Sequence, residues 1–135
     1  MTRSARWAIK TAMATAMLAL AWPAPAFAPD LLLLGRIEKG NWALRPARDG
    51  AVRNICVRSG GELLSLRHRG PGCARYVIEN RAGELTVHMT CGKAGHVRTT
   101  LRYETPRLIQ LDTQGLDGTA PFSESYEARR TGGCG

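Results

Sequence analysis

The sequence predicts a mainly β protein: an antiparallel meander, in the form of a curved sheet or partial barrel, with one short helix and two disulfides. The stretch from Cys73 to Cys91 has the pattern of two strands around a turn, with a cysteine at each outer end. Beyond it, runs of alternating polar and apolar residues are separated by short turn signals, as in antiparallel strands. All four cysteines follow an N-terminal stretch that resembles an export signal.

The first quarter of the chain has the three parts of a secretory signal. A basic head precedes an apolar stretch over 12–22 and small residues over 24–28. The apolar stretch is well short of the ~20 residues of a membrane span, so we expect no stable membrane anchor after cleavage. The prediction is a signal peptide over 1–26, with cleavage after Ala28 as the alternative, and a single β-rich domain over 27–135. The protein is expected in the periplasm or secreted.

The charge of the exported part is basic. Three of the 19 basic residues and none of the 11 acidic ones precede the cleavage site, which leaves 16 minus 11, or +5. All but two of those 16 are arginine, whose fork suits carboxylates and phosphates. A genome rich in arginine codons would give the same composition. The charge therefore indicates a basic surface and does not name a partner.

The even number of cysteines indicates two disulfides in an oxidising compartment. We predict Cys73 with Cys91 and Cys56 with Cys134. The runner-up pairing joins Cys56 to Cys73 and Cys91 to Cys134.

The inner pairing follows from a proposed hairpin. A three-residue loop over 81–83, with Gly83 left-handed, sets Asn80 opposite Glu84 and Cys73 opposite Cys91 at a non-hydrogen-bonded site. The apolar residues then fall on unmatched faces of the two strands. A bulge near Arg75 would reconcile the patterns.

Elements before the hairpin are shorter. Leu31 to Leu34 fit either a short helix or a buried edge strand. Strands are predicted over 42–46 and 51–57, around the Asp49-Gly50 turn. The short helix is predicted after Ser59, because Ser59 and Glu62 match a capping box and leucines follow. Its last turn would hold Arg67, His68 and Arg69.

Strands after Cys91 complete the meander. A five-residue loop over 92–96 would set Cys91 opposite Val97 and Leu85 opposite Tyr103. The turn over 105–107 sets Ile109 beside Tyr103 and Leu111 beside Leu101. A last strand follows Asp117-Gly118 and carries Phe122, Tyr126 and Ala128.

The opposite face of this meander is polar. We predict a shallow anion-binding patch there, for a lipid phosphate or a cell-wall carboxylate. The alternative is a solvated outer sheet face without a ligand. The candidate residues are His88, Arg98, Arg102, Gln110 and Asp112.

Four features together resemble domain-of-unknown-function family 3617, small exported proteobacterial proteins. They are the Gly40-Asn41-Trp42 opening, Cys56 before a short helix, the hairpin from Cys73 to Cys91, and the arginine-rich end that closes at Cys134. The resemblance covers essentially all of the mature chain. It implies a periplasmic, disulfide-linked, mainly β protein, and it carries no activity, cofactor or catalytic residue.

Other chemistries find little support in the sequence. His88, Cys91 and His96 have a metal-like spacing, but export favours a disulfide at Cys91, so no metal is predicted. No Gly-x-Ser-x-Gly occurs and no set of residues has mutually supporting catalytic roles, so no enzyme, catalytic residue or cofactor is predicted. Nucleic-acid binding lacks its module signatures.

The predicted function is non-catalytic binding. The expected partner is an anionic envelope component or another periplasmic protein. The alternative is an inhibitor of an envelope-attacking enzyme such as lysozyme, because small stapled β proteins make rigid inhibitors. A small hydrolase is the third possibility.

Overall fold

The computed structural model describes residues 30–68, 70 and 72–135, which form one antiparallel sheet. The predicted signal peptide and its cleavage sites lie outside these residues. The seven strands are β1 (Gly40–Pro46), β2 (Arg53–Val57), β3 (Ala74–Asn80), β4 (Glu84–Thr90), β5 (Gly95–Thr105), β6 (Leu108–Asp117) and β7 (Ala120–Gly132). Their spatial order is β2-β1-β7-β6-β5-β4-β3.

The mainly β class and the antiparallel meander are confirmed. Strands β3 to β7 follow one another as hairpins, and β1 joins the sheet by pairing with β7. The sheet does not close, so β2 and β3 are its two edges. An open sheet therefore replaces the partial barrel that the sequence also allowed.

The predicted short helix is wrong. The 3₁₀ turn Gly61–Leu63 stands in its place, and Leu32–Gly35 and Gly92–Ala94 are further 3₁₀ turns. The segment between β2 and the first hairpin cysteine is too short for a helix to be stable by itself, and burial of its leucines against the sheet decides its path instead. Within the described ranges, no helical segment has the length and hydropathy to cross a membrane.

Glu62 nevertheless makes the contacts of a cap. Its carboxylate accepts hydrogen bonds from the backbone amides of Arg58, Ser59 and Gly60, the last at 2.9 Å. Partial burial raises the pKa of Glu62, but these amides outweigh it and hold that pKa below its ordinary value of 4.5. The capping signal was therefore real, although it closes a single turn.

The basic cluster expected at the helix end is also dispersed. Arg67 forms ion pairs with Glu124 and Asp117 and lies over the ring of Phe122, 4.5 Å from its centre. His68 is 5% exposed. Its Nε2 donates to the Ala94 carbonyl at 2.8 Å and so ties the segment to the β4–β5 loop. Arg69 lies outside the described residues.

The core lies on one face of the sheet. Trp42 is fully buried, and its indole nitrogen donates to the Glu38 carbonyl at 3.0 Å. The residues that cover this face come from the segments before β1 and after β2, not from a helix. The largest fully buried aliphatic side chains are Leu33, Leu44, Leu63, Leu85, Leu101, Ile109, Leu111, Val57 and Val87.

The turn of the first cysteine hairpin differs from the predicted one. Asn80 pairs with Leu85 and not with Glu84, and the Arg81 amide donates to the Glu84 carbonyl at 2.8 Å. Gly83 does not have a positive φ. This tighter turn shifts the two strands by one residue relative to the predicted register.

A bulge cancels that shift. It lies at Ile78, between Val77 and Glu79, and not near Arg75. Beyond the bulge the pairing has the offset that sets Cys73 beside Cys91. Between the bulge and the turn, Asn80 pairs with the core residue Leu85 and so lies on the core face. There the Asn80 amide group bonds the backbone at Asp30 and Leu32, each at 3.0 Å.

The β4–β5 loop is two residues shorter than predicted. Met89 pairs with Val97, Val87 with Thr99 and Leu85 with Leu101, which keeps every side chain on its predicted face. The 3₁₀ turn Gly92–Ala94 makes this connection. The predicted β5–β6 register is confirmed, since Tyr103 pairs with Ile109 and Leu101 with Leu111.

Both predicted disulfides are confirmed. Cys73 and Cys91 tie edge strand β3 to β4, and their Cα atoms are 4.2 Å apart, the close approach of a non-hydrogen-bonded pair. Cys56 ties edge strand β2 to Cys134, beyond the end of β7, across a Cα separation of 5.6 Å. Each edge of the sheet therefore has a covalent tie.

The two disulfides are expected to contribute unequally to stability. Changing Cys56 and Cys134 together to serine should lower the free energy of unfolding by about 4.5 kcal/mol, and changing Cys73 and Cys91 by about 3 kcal/mol, because the first closes the longer loop. Urea unfolding of both double variants measures this difference. A larger loss from the shorter loop would contradict the chain-entropy account.

Glu62→Gln is expected to destabilise the fold by about 1 kcal/mol, because it removes the charge that three backbone amides contact. Chemical denaturation at neutral pH measures the loss. Glu104→Gln is the matched control, since its contact is one exposed side-chain amide. Equal losses in the two variants would show that the cap has no special role.

Candidate anion-binding face

The structure brings all five predicted residues to the polar face of three neighbouring strands. His88 lies on β4, Arg98 and Arg102 on β5, and Gln110 and Asp112 on β6. His88 is paired with Arg98, and Arg102 with Gln110. The five residues therefore share a surface, but they fall into two groups with different bonding.

The group around Arg102 is internally neutralised. Arg102 forms an ion pair with Asp112, and the Ser125 hydroxyl donates to the same carboxylate at 2.5 Å. Gln110 donates to Glu104 at 2.8 Å. These side chains hold strands β5, β6 and β7 together and leave little free positive charge.

The hydrogen bond from Ser125 lowers the pKa of Asp112 below its ordinary value of 3.8. Partial burial opposes this effect, and the Arg102 guanidinium adds to it. The carboxylate is therefore ionised over the whole neutral range. Its negative charge offsets the positive charge of Arg102, so Arg102 has little charge to offer an anion.

The group around Arg98 is different, and it contains a residue that the sequence analysis missed. His96 pairs with Thr90, which places it on the same face as His88 and Arg98. The two imidazole rings have centroids 5.4 Å apart and are tilted by 36°. We name His88, His96, Arg98 and Gln114 the histidine–arginine pocket.

Two glycines allow this end of the sheet to close tightly. Gly95 has φ +108°, and a Cβ there would lie 2.0 Å from the Leu116 carbonyl oxygen. A Cβ on Gly115 would lie 2.0 Å from the His96 carbonyl oxygen. Side chains at either position would push β5 and β6 apart, so these glycines hold His96 against the end of β6. In the sequence, these two glycines were the features that could have indicated the position of His96 beside β6.

The polar side chains of the pocket have no hydrogen-bonding partner within residues 30–68, 70 and 72–135. Neither the imidazoles, nor the Arg98 guanidinium, nor the Gln114 amide bonds another described side chain or backbone group. The Nδ1 atom of His96 is also buried without a partner. This absence separates the pocket from the bonded group around Arg102.

The pocket is an open cleft of about 510 Å³. Gly115, Leu116 and Phe122 complete the lining, and no carboxylate is among the lining residues. Arg98 also lines a second groove of about 220 Å³ that leads along the face toward Asp112. Asp112 lies two positions before Gln114 on β6 and is engaged by Arg102.

The other end of the polar face carries balanced charge. Arg81 contacts both Glu79 at 2.8 Å and Glu84 at 3.3 Å. A further cleft of about 390 Å³ lies beside the β1–β2 loop. Its Glu124 is held by Arg67, whose hydrogen bond lowers the pKa of that carboxyl. The histidine–arginine pocket differs from this cleft, because no carboxylate lines it.

The metal-like spacing in the sequence does not assemble in space. Cys91 is bonded to Cys73, so it supplies no thiolate. His68 is buried, and its Nε2 donates to the Ala94 carbonyl. The part of the chain that the structure describes contains no cluster of three or more histidine, cysteine or acidic residues that could hold a metal ion.

Comparison of the chain with protein-family models, with curated proteins and with solved structures finds no match, so the resemblance to family 3617 stays a prediction.

Asp112→Asn is expected to lower the free energy of unfolding by about 0.5 to 1 kcal/mol at neutral pH, since the contacts to Arg102 and Ser125 are partly exposed. The folded-state pKa of Asp112 is depressed, so its contribution is present above 3.8 and is lost as the pH falls through the folded value. Urea unfolding of both proteins across that range should show the difference shrinking in acid. A difference independent of pH would contradict this role.

Proposed function

We propose that the protein is an exported, non-catalytic binding protein that holds an anionic component of the cell envelope in the histidine–arginine pocket. The observation that carries the proposal is the set of unbonded donors around Arg98, with no carboxylate in the lining. A guanidinium without a protein partner gains most from an anionic ligand.

Export fits this function. Two disulfides are consistent with an oxidising compartment outside the cytoplasm. The predicted signal peptide over 1–26 would deliver the chain to the periplasm or beyond. There the abundant anionic groups are lipid phosphates and the carboxylates of the cell wall.

The chemistry of the pocket favours binding over catalysis. Imidazoles act in nucleophilic catalysis by activating a hydroxyl or thiol, with a third group that orients the base. The residues that line the pocket include neither hydroxyl, thiol nor carboxylate side chains. The two histidines and Arg98 therefore have the role of hydrogen-bond donors.

The scaffold also suits a binder. The site lies on adjacent strands of a sheet whose edges are covalently tied. Donors on rigid strands lose little conformational freedom when a ligand binds. A preformed surface of this kind needs no closing segment to hold a small anionic group.

Arg98→Ala is expected to weaken binding to anionic vesicles or to purified peptidoglycan about tenfold, the usual cost of one charge-assisted hydrogen bond. Arg102→Ala is the matched control, because it removes the same formal charge from the same strand but from a neutralised pair. The control should change binding by less than about twofold. Cosedimentation with vesicles and pull-down on peptidoglycan, at fixed ionic strength, measure both variants.

Equal weakening in the two variants would mean that net charge alone drives retention, and the pocket would be excluded as the site. Wild-type protein that binds neither vesicles nor peptidoglycan would remove the proposed function. Thermal unfolding of each variant, with both disulfides intact, provides the check on folding.

A further inference from the structure

We infer that the histidine–arginine pocket takes a terminal phosphate, a phosphomonoester group, in preference to a carboxylate or a phosphodiester. This inference rests on the proposed function and specifies the ligand class of the same site. Its basis is the number and arrangement of donors that converge on the pocket.

The donors come from three neighbouring strands. Arg98 lies on the central strand of the three, β5, and is directly opposite His88 on β4 and Gln114 on β6. Directly opposed side chains have Cβ atoms about 4.5 to 5.5 Å apart. His96 extends the group along β5, and its ring lies 5.4 Å from that of His88. All four side chains therefore stand on the same face of three neighbouring strands and line one cleft.

A carboxylate would leave part of this set unused. Its two oxygens lie in one plane, and a single guanidinium fork engages both of them and leaves about two of their four acceptor positions. The imidazoles and the amide would then approach an anion that has few remaining acceptor positions. A terminal phosphate presents three oxygens in a tetrahedral arrangement, together with nearly two negative charges at neutral pH. It can accept from Arg98 and from both imidazoles at the same time.

The charges of the pocket residues point the same way. Arg98 carries a permanent positive charge, and no lining carboxylate offsets it. A dianion interacts with this charge more favourably than a monoanion does, because Coulomb energy scales with charge. A phosphodiester has one negative charge and only two free oxygens. The pocket therefore discriminates by charge as well as by the count of acceptors.

A metal ion is the competing occupant of a histidine pair. Two imidazoles with this spacing could bind one cation. However, the guanidinium of Arg98 is on the strand position directly opposite His88, and its permanent positive charge opposes a cation there. The absence of an acidic ligand from the lining also leaves the charge of a divalent ion uncompensated.

The apolar side of the cleft accommodates the rest of the ligand. Leu116 lies beside the polar groups, since it pairs with His96, and the cleft of about 510 Å³ is open to solvent. A phosphate could thus enter while the carbon skeleton to which it is esterified lies against the Leu116 side chain. A lipid head group and a small free phosphate ester both meet this description.

Histidine resonances give a direct test, because the chain has three histidines and His68 is an internal control. The disulfide-bonded mature protein is titrated with inorganic phosphate, with glycerol phosphate and with acetate at constant ionic strength and pH. The ring signals of His88 and His96 are expected to move with both phosphates, and that of buried His68 to stay fixed. Phosphate should bind about tenfold more tightly than acetate.

Vesicles separate the two sources of the phosphate. Vesicles that contain phosphatidic acid, a monoester, should bind the protein about tenfold more tightly than phosphatidylglycerol vesicles of equal charge density. Preference for these vesicles with weak glycerol phosphate binding would assign the ligand to a lipid head group. Equal affinity for phosphatidic acid vesicles and for glycerol phosphate would show that the phosphate group alone is recognised.

Substitution of the two histidines tests whether their rings contact the phosphate. His88→Phe and His96→Phe keep a ring and remove the donor, and each should weaken phosphate binding about fivefold while acetate binding changes little. Equal binding of phosphate and acetate by the wild-type protein would overturn the phosphate inference and leave the proposed function standing. Failure to bind any of these anions would overturn both. Tighter binding of zinc than of phosphate would overturn the inference in favour of a metal site.

Discussion

A single open sheet has two faces, and this chain has enough apolar residues to bury only one of them. No helix of the described residues covers the apolar face, so short turns and extended segments must supply the second layer. Leu33, in the segment before β1, is buried against the sheet. Leu63 and Leu64, in the segment after β2, are buried there too. Such segments have few hydrogen bonds of their own. Their positions depend on side-chain anchors, namely Glu62, Asn80 and His68.

The same constraint explains where the disulfides lie. Edge strands are the least supported parts of a sheet, because one side of each lacks a partner. Cys56 fixes β2 and Cys73 fixes β3, so both edges are tied while the central strands rely on pairing and burial alone. The outer face is then free to remain polar. Its charges can serve either to pair strands, as Arg102 and Asp112 do, or to contact a ligand.

Strand alternation and turn length carried most of the sequence analysis. They predicted the polar and apolar faces, the β5–β6 register and the disulfide between Cys73 and Cys91, because a period of two and a short turn leave few alternatives. The second disulfide was predicted as the pairing of the two remaining cysteines. They did not predict the loss of the helix after Ser59, since capping contacts form equally well around one 3₁₀ turn. Nor did they locate the bulge at Ile78. Two shifts, one in the turn and one at the bulge, cancel in the final pairing, so the cysteines meet despite an incorrect turn.

The candidate site shows that the cross-strand neighbours of a residue are harder to predict from sequence than the face on which it lies. In the predicted register His88 would face Thr100, and Arg98 would face Thr90; a two-residue change in one loop sets His88 opposite Arg98. Every side chain keeps its face through such a change, so hydrophobic patterning cannot detect it. The change costs no burial, yet it alone brings His96 alongside its partners. Gly92, with φ +57°, and Gly95, with φ +108°, make the short loop possible. The face of a residue is therefore fixed by the strand, whereas its neighbours, and with them any binding chemistry, are fixed by the conformation of the short connection between β4 and β5.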